Sequence, residues 1–200
     1  MSEDRIEYVT QASAELPQNP KSYNKLSIGL HWLMVLLFVA VYATIECRTF
    51  FERGTDMRNL LKEWHFILGL TIFTLVWLRL AVRVLKPAPP ILPTPPQWQT
   101  LLARLVHAVL YALMIGMPIA GWLILSGEGK PIPFWGLELP ALIGPNKDLA
   151  HEIEELHELI GKVGYFLIAL HAVAALVHHY FFKDNTLKRM LPVLNKRTSE

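Results

Sequence analysis

Four of the eight histidines in this 200-residue chain lie in one apolar run, residues 156–182. Ligating groups inside an apolar segment of membrane length are costly, so they are functional candidates. His157 and His171 are fourteen residues apart, which on a helix means about 21 Å along the axis and about 40° around it. One helix therefore presents two imidazoles at two levels on nearly the same face. Imidazole is an axial ligand of haem iron, and each iron takes its second ligand from a facing helix, so this spacing suits two stacked haem groups.

The composition predicts that the rest of the chain is built around membrane helices. Its residues are 52% hydrophobic and 18% charged, which is more apolar than an ordinary soluble domain. A mainly apolar run of about 18 residues or more is long enough to cross a hydrocarbon core of about 30 Å. The runs that meet this length are residues 26–45, 64–85, 101–125 and 156–182. We therefore predict an all-α membrane protein, a single four-transmembrane-helix bundle over residues 26–182.

Charge and cysteine content limit the partners and the ligands. The formal net charge is +2, and the basic residues gather at the ends of the spans, where lipid headgroups account for them. We therefore expect a lipid bilayer as a partner and no nucleic acid. The only cysteine is Cys47, which allows neither an intramolecular disulfide nor a thiolate metal cluster. Imidazole is the ligand type that remains.

The lysine and arginine residues near the span ends predict the orientation. A polar tail, residues 1–25, precedes the first span, and a basic tail, residues 183–200, follows the fourth. Placing both termini in the cytoplasm puts most basic residues inside and leaves the acidic loop 126–155 outside. The loop between the first two spans is the exception, because it carries four basic residues.

This orientation gives each histidine a level in the membrane. His31 lies about 7.5 Å inside the inner edge of the core, while His65 lies one residue from the outer edge. Across a core of about 30 Å, about 21 Å separates these two levels. His157 and His171 are separated by the same amount. Two pairs are therefore predicted, His65 with His157 near the outer face and His31 with His171 toward the inner face.

The other polar residues of the spans have several interpretations. His178 lies seven residues beyond His171 on almost the same face, and we expect it beside the inner cofactor and not on it. His107 is either structural or handles protons near a substrate site, and His151 is a solvated residue. Arg79 either reaches the lipid phosphates or neutralises a haem propionate.

Several stretches of the sequence resemble a known family. They are SIGLHW in the first span, Trp64-His65 at the start of the second, KPAPPILPTPP after it, and GYFLIALHAVAALVHHYFFKDNTLKRMLP in and after the fourth. From about residue 21 to residue 192 the chain resembles the bacterial cytochrome b561 family of four-helix, di-haem b proteins. Within that family it resembles the members that oxidise superoxide. The resemblance implies a location in the bacterial inner membrane.

The resemblance also implies the ligands and the substrates. One haem b would be held by His31 and His171 and the other by His65 and His157, with electrons passing from superoxide outside to ubiquinone near the inner haem. The candidate contacts of the quinone or the haem propionates are Ser27, Arg79 and His178. Because superoxide is an anion and the long outer loop is acidic, its entrance would have to be basic. The candidate residues for this steering patch, all near the first loop, are Arg48, Arg53, Arg58 and Lys62.

Two other interpretations of the sequence remain open. In one, the chain is an anchor subunit that relays electrons between a periplasmic dehydrogenase or hydrogenase and the quinone pool, and the acidic loop 126–155 docks a protein partner. In the other, it is a haem-free four-span protein with structural histidines. Turnover by the purified chain alone would exclude the first, and haem absorbance would exclude the second.

Overall fold

The computed structural model describes residues 22–191. The long helices are α1 (Lys25–Cys47), α2 (Asp56–Leu85), α3 (Gln97–Glu128) and α4 (Lys147–Tyr180). A hairpin of two short strands, β1 (Ile132–Phe134) and β2 (Leu137–Leu139), lies between α3 and α4, and single 3₁₀ turns occur at Arg48–Phe50 and Lys188–Met190. All four long helices are long and apolar enough to cross a membrane. The predicted four-transmembrane-helix bundle is therefore confirmed.

The helices begin and end where other groups satisfy their free backbone groups. Asn24 caps α1 by accepting a hydrogen bond from the Ser27 backbone N–H at 2.9 Å, and Asn146 caps α4 in the same way. The third helix begins directly after Pro96 and is ended by Gly129, the residue after Glu128, whose φ of 68° lies in the left-handed region that favours glycine. Local sequence therefore sets where the helices start and stop.

Two helices extend well beyond their predicted apolar runs. The helix α2 begins eight residues before Trp64, and α4 begins nine residues before Leu156. These added turns are rich in charged residues and lie at the same end of the bundle, where residues from both line a charged pocket described below. Residues 1–21 of the predicted N-terminal tail and 192–200 of the predicted C-terminal tail lie outside the described residues.

The helices pack in two pairs. The helix α1 packs against α2, α3 packs against α4, and α2 joins the pairs by packing on α3. The central hydrophobic core comes from the first three helices and consists of Met34, Ile72, Val76 and Met114. The fourth helix contributes only Ala150 and Gly164 to the buried residues. It therefore stands away from the core. The space between α4 and the first two helices holds His31, His65, His157 and His171.

The two ends of the bundle are built differently. We call the end with the β-hairpin and the α1–α2 loop the hairpin end, and the opposite end, with residues 22–24 and 181–191, the termini end. At the termini end the Tyr23 N–H donates to the Arg189 carbonyl at 3.2 Å. Asn185 exchanges hydrogen bonds of 2.9 and 3.1 Å with the backbone of Leu92. These bonds tie the segment after α4 to the start of α1 and to the proline-rich connection.

Candidate functional site

One pair of imidazoles lies toward the hairpin end. The rings of His65 on α2 and His157 on α4 have centroids 6.3 Å apart and an interplanar angle of 73°. The Nδ1 atom of His65 lies 3.0 Å from the carbonyl oxygen of Val41 on α1. Since a carbonyl can only accept, Nδ1 donates and Nε2 is left free to bind a metal. The Nδ1 atom of His157 is buried and has no hydrogen-bond partner among residues 22–191.

A large cavity surrounds this pair. Its volume is about 840 Å³, and both histidines line it together with apolar side chains from all four helices. Two of the three glycines in its wall, Gly69 and Gly121, keep the approach open: a Cβ on Gly69 would meet nothing within 4 Å, and one on Gly121 would meet only the His157 ring at 3.8 Å. An apolar cavity of this size is suited to a large planar ligand.

A second pair of imidazoles lies toward the termini end. The rings of His31 on α1 and His171 on α4 are also 6.3 Å apart between centroids, with an interplanar angle of 76°. Arg79 on α2 donates from Nη2 to His31 Nδ1 at 3.0 Å and from Nε to the Tyr111 hydroxyl at 3.3 Å. Because Nδ1 of His31 accepts this bond, its ring proton lies on Nε2, and iron binding at Nε2 would require Arg79 to release Nδ1. The other terminal nitrogen of Arg79 is buried without a partner among the described residues. This guanidinium therefore has a donor to spare for an anionic group beside the pair.

Both spacings fit an iron atom between the two rings. A metal–imidazole bond is about 2 Å long, and an imidazole centroid lies about 1.1 Å from its nitrogens given ring bonds of about 1.33 Å. Two rings on opposite sides of one iron should therefore have centroids about 6.2 Å apart. Within residues 22–191 no group of three or more His, Cys, Asp or Glu is arranged to hold a metal ion alone. Porphyrin supplies the remaining ligands of haem iron, so paired imidazoles fit haem.

His107 on α3 lies next to the termini-end pair. The spacing of the histidines in the sequence did not predict this contact. Its ring centroid is 5.1 Å from that of His171, closer than two axial ligands of one iron. Its Nδ1 donates to the Ala103 carbonyl at 2.5 Å, so this side chain is fixed by its own helix. His107 is therefore a neighbour of the pair, and its 5.1 Å separation from His171 leaves no room for an iron atom between these two rings. His151 lies elsewhere, exposed and 3.5 Å from Glu155, as expected for a solvated residue.

The basic residues predicted near the first loop meet in one pocket at the hairpin end. This pocket has a volume of about 350 Å³, and its charged lining consists of Arg48, Arg53, Arg58, Lys62, Glu154 and Glu158. Four of these side chains also line the cavity around His65 and His157: Arg48, Lys62, Glu154 and Glu158. The pocket is therefore the charged mouth of that cavity. Arg58 also has a structural part, because its Nη1 donates to the carbonyls of Arg48 and Phe51 at 3.0 and 2.8 Å.

The candidate quinone contacts are separate from one another. Ser27 belongs to the cap of α1, where its hydroxyl accepts a hydrogen bond from the Asn24 side chain at 2.9 Å. Arg79 lies at the termini-end pair, as described above. His178 lies near the end of α4, and its Nδ1 is 2.5 Å from a carboxylate oxygen of Asp184. No hydrogen bond joins these three candidates to one another within residues 22–191.

Asp184 is a functional candidate that sequence reasoning missed. It is only 4% exposed, and its second carboxylate oxygen accepts from the Thr186 N–H at 2.8 Å. Burial alone would raise the pKa of this carboxyl, but the hydrogen bonds from His178 and Thr186 outweigh burial and hold the pKa below its usual value of 3.8. An ionised Asp184 therefore keeps a proton on His178 Nδ1 and leaves Nε2 for a second partner.

Comparison with known proteins gives the chain its family. The prokaryotic cytochrome b561 family matches residues 22–193. The chain is 38% identical to cytochrome b561 homolog 1 of Escherichia coli K12 over 85% of this chain and 97% of that protein. It is 41% identical to a probable superoxide oxidase of Yersinia pestis over 86% and 97%, and 30% identical to cytochrome b561 homolog 2 of E. coli K12 over 86% and 92%. The chain belongs to the prokaryotic cytochrome b561 family, whose members are haem b-binding electron-transfer proteins of bacterial membranes.

Proposed function

We propose that this chain holds two haem b groups and carries electrons from superoxide at the hairpin end to ubiquinone at the termini end. The observation that carries the proposal is the pair of equal imidazole spacings, 6.3 Å for His65–His157 and 6.3 Å for His31–His171. Haem held by the two imidazoles of a pair would supply reversible one-electron transfer and would have little tendency to bind oxygen. The similarity to a probable superoxide oxidase supports the choice of donor.

The orientation proposed from the sequence puts the hairpin end outside the cytoplasm. Both described ends of the chain meet at the termini end, where Tyr23 is hydrogen-bonded to Arg189. With both termini in the cytoplasm, superoxide would arrive from the periplasm and quinone would be reduced near the inner face.

The charged mouth of the cavity suits a small anion. Four basic side chains and two acidic ones line it, so its net charge favours superoxide. A pocket of one dominant sign raises the local concentration of an oppositely charged substrate, and this effect weakens as salt is added. Two superoxide anions lose one electron each and leave as two O2 molecules. No proton is required at this end.

Quinone reduction at the other end does require protons. One ubiquinone takes the two electrons and two protons to become the quinol. His178 is placed for this part of the reaction because Asp184 fixes its Nδ1 proton and leaves Nε2 for exchange. Arg79 has a buried donor free for a propionate or a quinone oxygen. These roles of His178 and Arg79 rest on the quinone binding near His31 and His171.

Rapid mixing tests the proposal directly. Oxidised purified protein is mixed with superoxide, the b-type absorbance bands are followed, and ubiquinone is then added. We expect the bands of the reduced haem to appear and then to be reversed by the quinone. In the contrary outcome, superoxide fails to reduce the haem, whereas a periplasmic dehydrogenase or hydrogenase reduces it. That outcome would favour the relay-subunit interpretation over this proposal.

A charge reversal in the mouth tests the entrance. Arg53 lines the pocket. Its side chain makes no hydrogen bond within the described residues, so replacing it breaks none there. We expect Arg53→Glu, which brings the net charge of the mouth to zero, to slow reduction by superoxide and to remove most of the effect of added salt on the rate. Lys86→Glu is the matched control, because Lys86 lies at the far end of α2, many Debye lengths of about 8 Å from the mouth. Equal rates of reduction by superoxide in the two variants would show that superoxide does not enter through the mouth.

A further inference from the structure

The β-hairpin between α3 and α4 has two different faces. Cross-strand partners are Ile132 with Leu139, Pro133 with Glu138, and Phe134 with Leu137. Partners in an antiparallel pair share a face, and faces alternate along each strand. Pro133 and Glu138 therefore lie on one face, and the four apolar residues lie on the other.

The apolar face starts on the bundle core and continues past its edge. Ile132 is 2% exposed and packs with Leu70 and Leu125, and Leu139 and Phe134 are partly buried against the same cluster. Leu137, at the tip end of this face, is 66% exposed. The face is therefore covered by the helices at its base and uncovered at its tip.

Trp135 shows what surrounds the tip. Its ring is 58% exposed, yet its indole nitrogen donates to the Thr71 hydroxyl on α2 at 2.9 Å, and its ring meets the edge of Trp64 at a centroid distance of 5.9 Å. Thr71 lies seven residues beyond Trp64, which is about 10 Å deeper along α2. In hydrocarbon no water is available to bind the indole N–H, so the protein must accept its hydrogen bond. The exposed ring of Trp135 meets this requirement.

We propose that the hairpin is an interfacial anchor, with its tip at Trp135 and Leu137 lying on the acyl chains of the leaflet at the hairpin end and Glu138 facing water. The surface that it offers is continuous with the lipid-facing side of α2, so its partner is the boundary between phospholipid headgroups and acyl chains. This inference depends on the membrane helices and is independent of superoxide, haem and quinone.

The anchor has a consequence for the cavity. Ile132 and its neighbours Pro131 and Pro133 line the space around His65 and His157. A hairpin held by lipid at its tip and by the core at its base keeps this wall in place. The hairpin thereby forms one wall of the cavity around His65 and His157.

Spin labels at adjacent positions test the anchor. In a Cys47→Ser background, Leu137→Cys and Glu138→Cys are labelled in the full-length protein as purified and reconstituted into phospholipid vesicles. We expect the label at 137 to be relaxed mainly by oxygen, which concentrates in the bilayer, and the label at 138 mainly by a water-soluble nickel chelate. Labels that are equally accessible to the nickel chelate at both positions would overturn the proposal.

A second measurement does not depend on labelling. The fluorescence of Trp135 is taken as the difference between wild type and Trp135→Phe, which keeps an aromatic ring at the tip. In vesicles of phospholipid brominated on the acyl chains, we expect that difference to be strongly quenched, and aqueous iodide should leave it nearly unchanged. Quenching by iodide and not by bromolipid would place the tip in water and refute the anchor.

Discussion

Replacing one imidazole of the hairpin-end pair, as in His65→Ala, is expected to halve the six-coordinate, low-spin haem signal. The 6.3 Å between the centroids of His65 and His157 matches the value of about 6.2 Å for two rings on one iron. An alanine methyl group cannot span that gap, so the iron beside His157 would be five-coordinate or absent. Low-temperature electron paramagnetic resonance, with haem content measured per chain, separates these cases, and both remove half of the low-spin signal.

The matched control is His107→Ala. His107 is an imidazole in the same bundle, but its ring is 5.1 Å from His171, too close for an iron to lie between them. We expect His107→Ala to keep the full low-spin signal and His31→Ala to lose the half that His65→Ala retains. The reasoning is refuted if His65→Ala leaves the low-spin signal intact, or if His107→Ala removes half of it.

Two further predictions concern packing and charge. A Cβ on Gly164 would lie 2.5 Å from the Tyr42 hydroxyl oxygen, so Gly164→Ala should destabilise the fold by about 2 kcal/mol; Gly161→Ala, whose nearest new contact is an ordinary 3.7 Å, should not. Equal thermal midpoints for these two variants would contradict this packing. Asp184→Asn should cost about 2 kcal/mol at pH 7, because it removes a buried charge-assisted hydrogen bond to His178. Since the folded pKa of Asp184 is below 3.8, the stability that it contributes is present above that pH and is lost as the pH falls through the folded value. Melting curves of wild type and Asp184→Asn should therefore converge in acid, and a constant difference would exclude the ionised carboxylate as the cause.

Composition and helix geometry predicted the architecture and the two imidazole levels. Apolar length decides whether a helix can span a membrane, and the rise per residue is nearly constant along a helix. The separation of His157 and His171 along α4 therefore needs no tertiary information. The ligand roles of the four paired histidines stay predictions until haem is measured.

The sequence could not predict how a helix is rotated about its own axis or where the chain turns back on itself. The approach of His107 to His171 depends on how α3 is turned about its axis, which the spacing of one helix does not determine. Asp184 returns to His178 because Lys183 adopts a left-handed φ of 55°, a conformation that a lysine gives no sign of. The hairpin turn has positive φ at Trp135 and Gly136, and only the glycine is typical of such a turn.

Quinol formation in vesicles tests the central claim most directly. The purified chain is reconstituted with ubiquinone, superoxide is generated outside, and the quinol is quantified against the superoxide consumed. The two imidazole pairs and the charged mouth together predict one quinol for every two superoxide anions, with His65→Ala and His31→Ala each abolishing the yield. Quinol formation that persists without either pair, or superoxide loss without any quinol, would contradict electron transfer through this bundle.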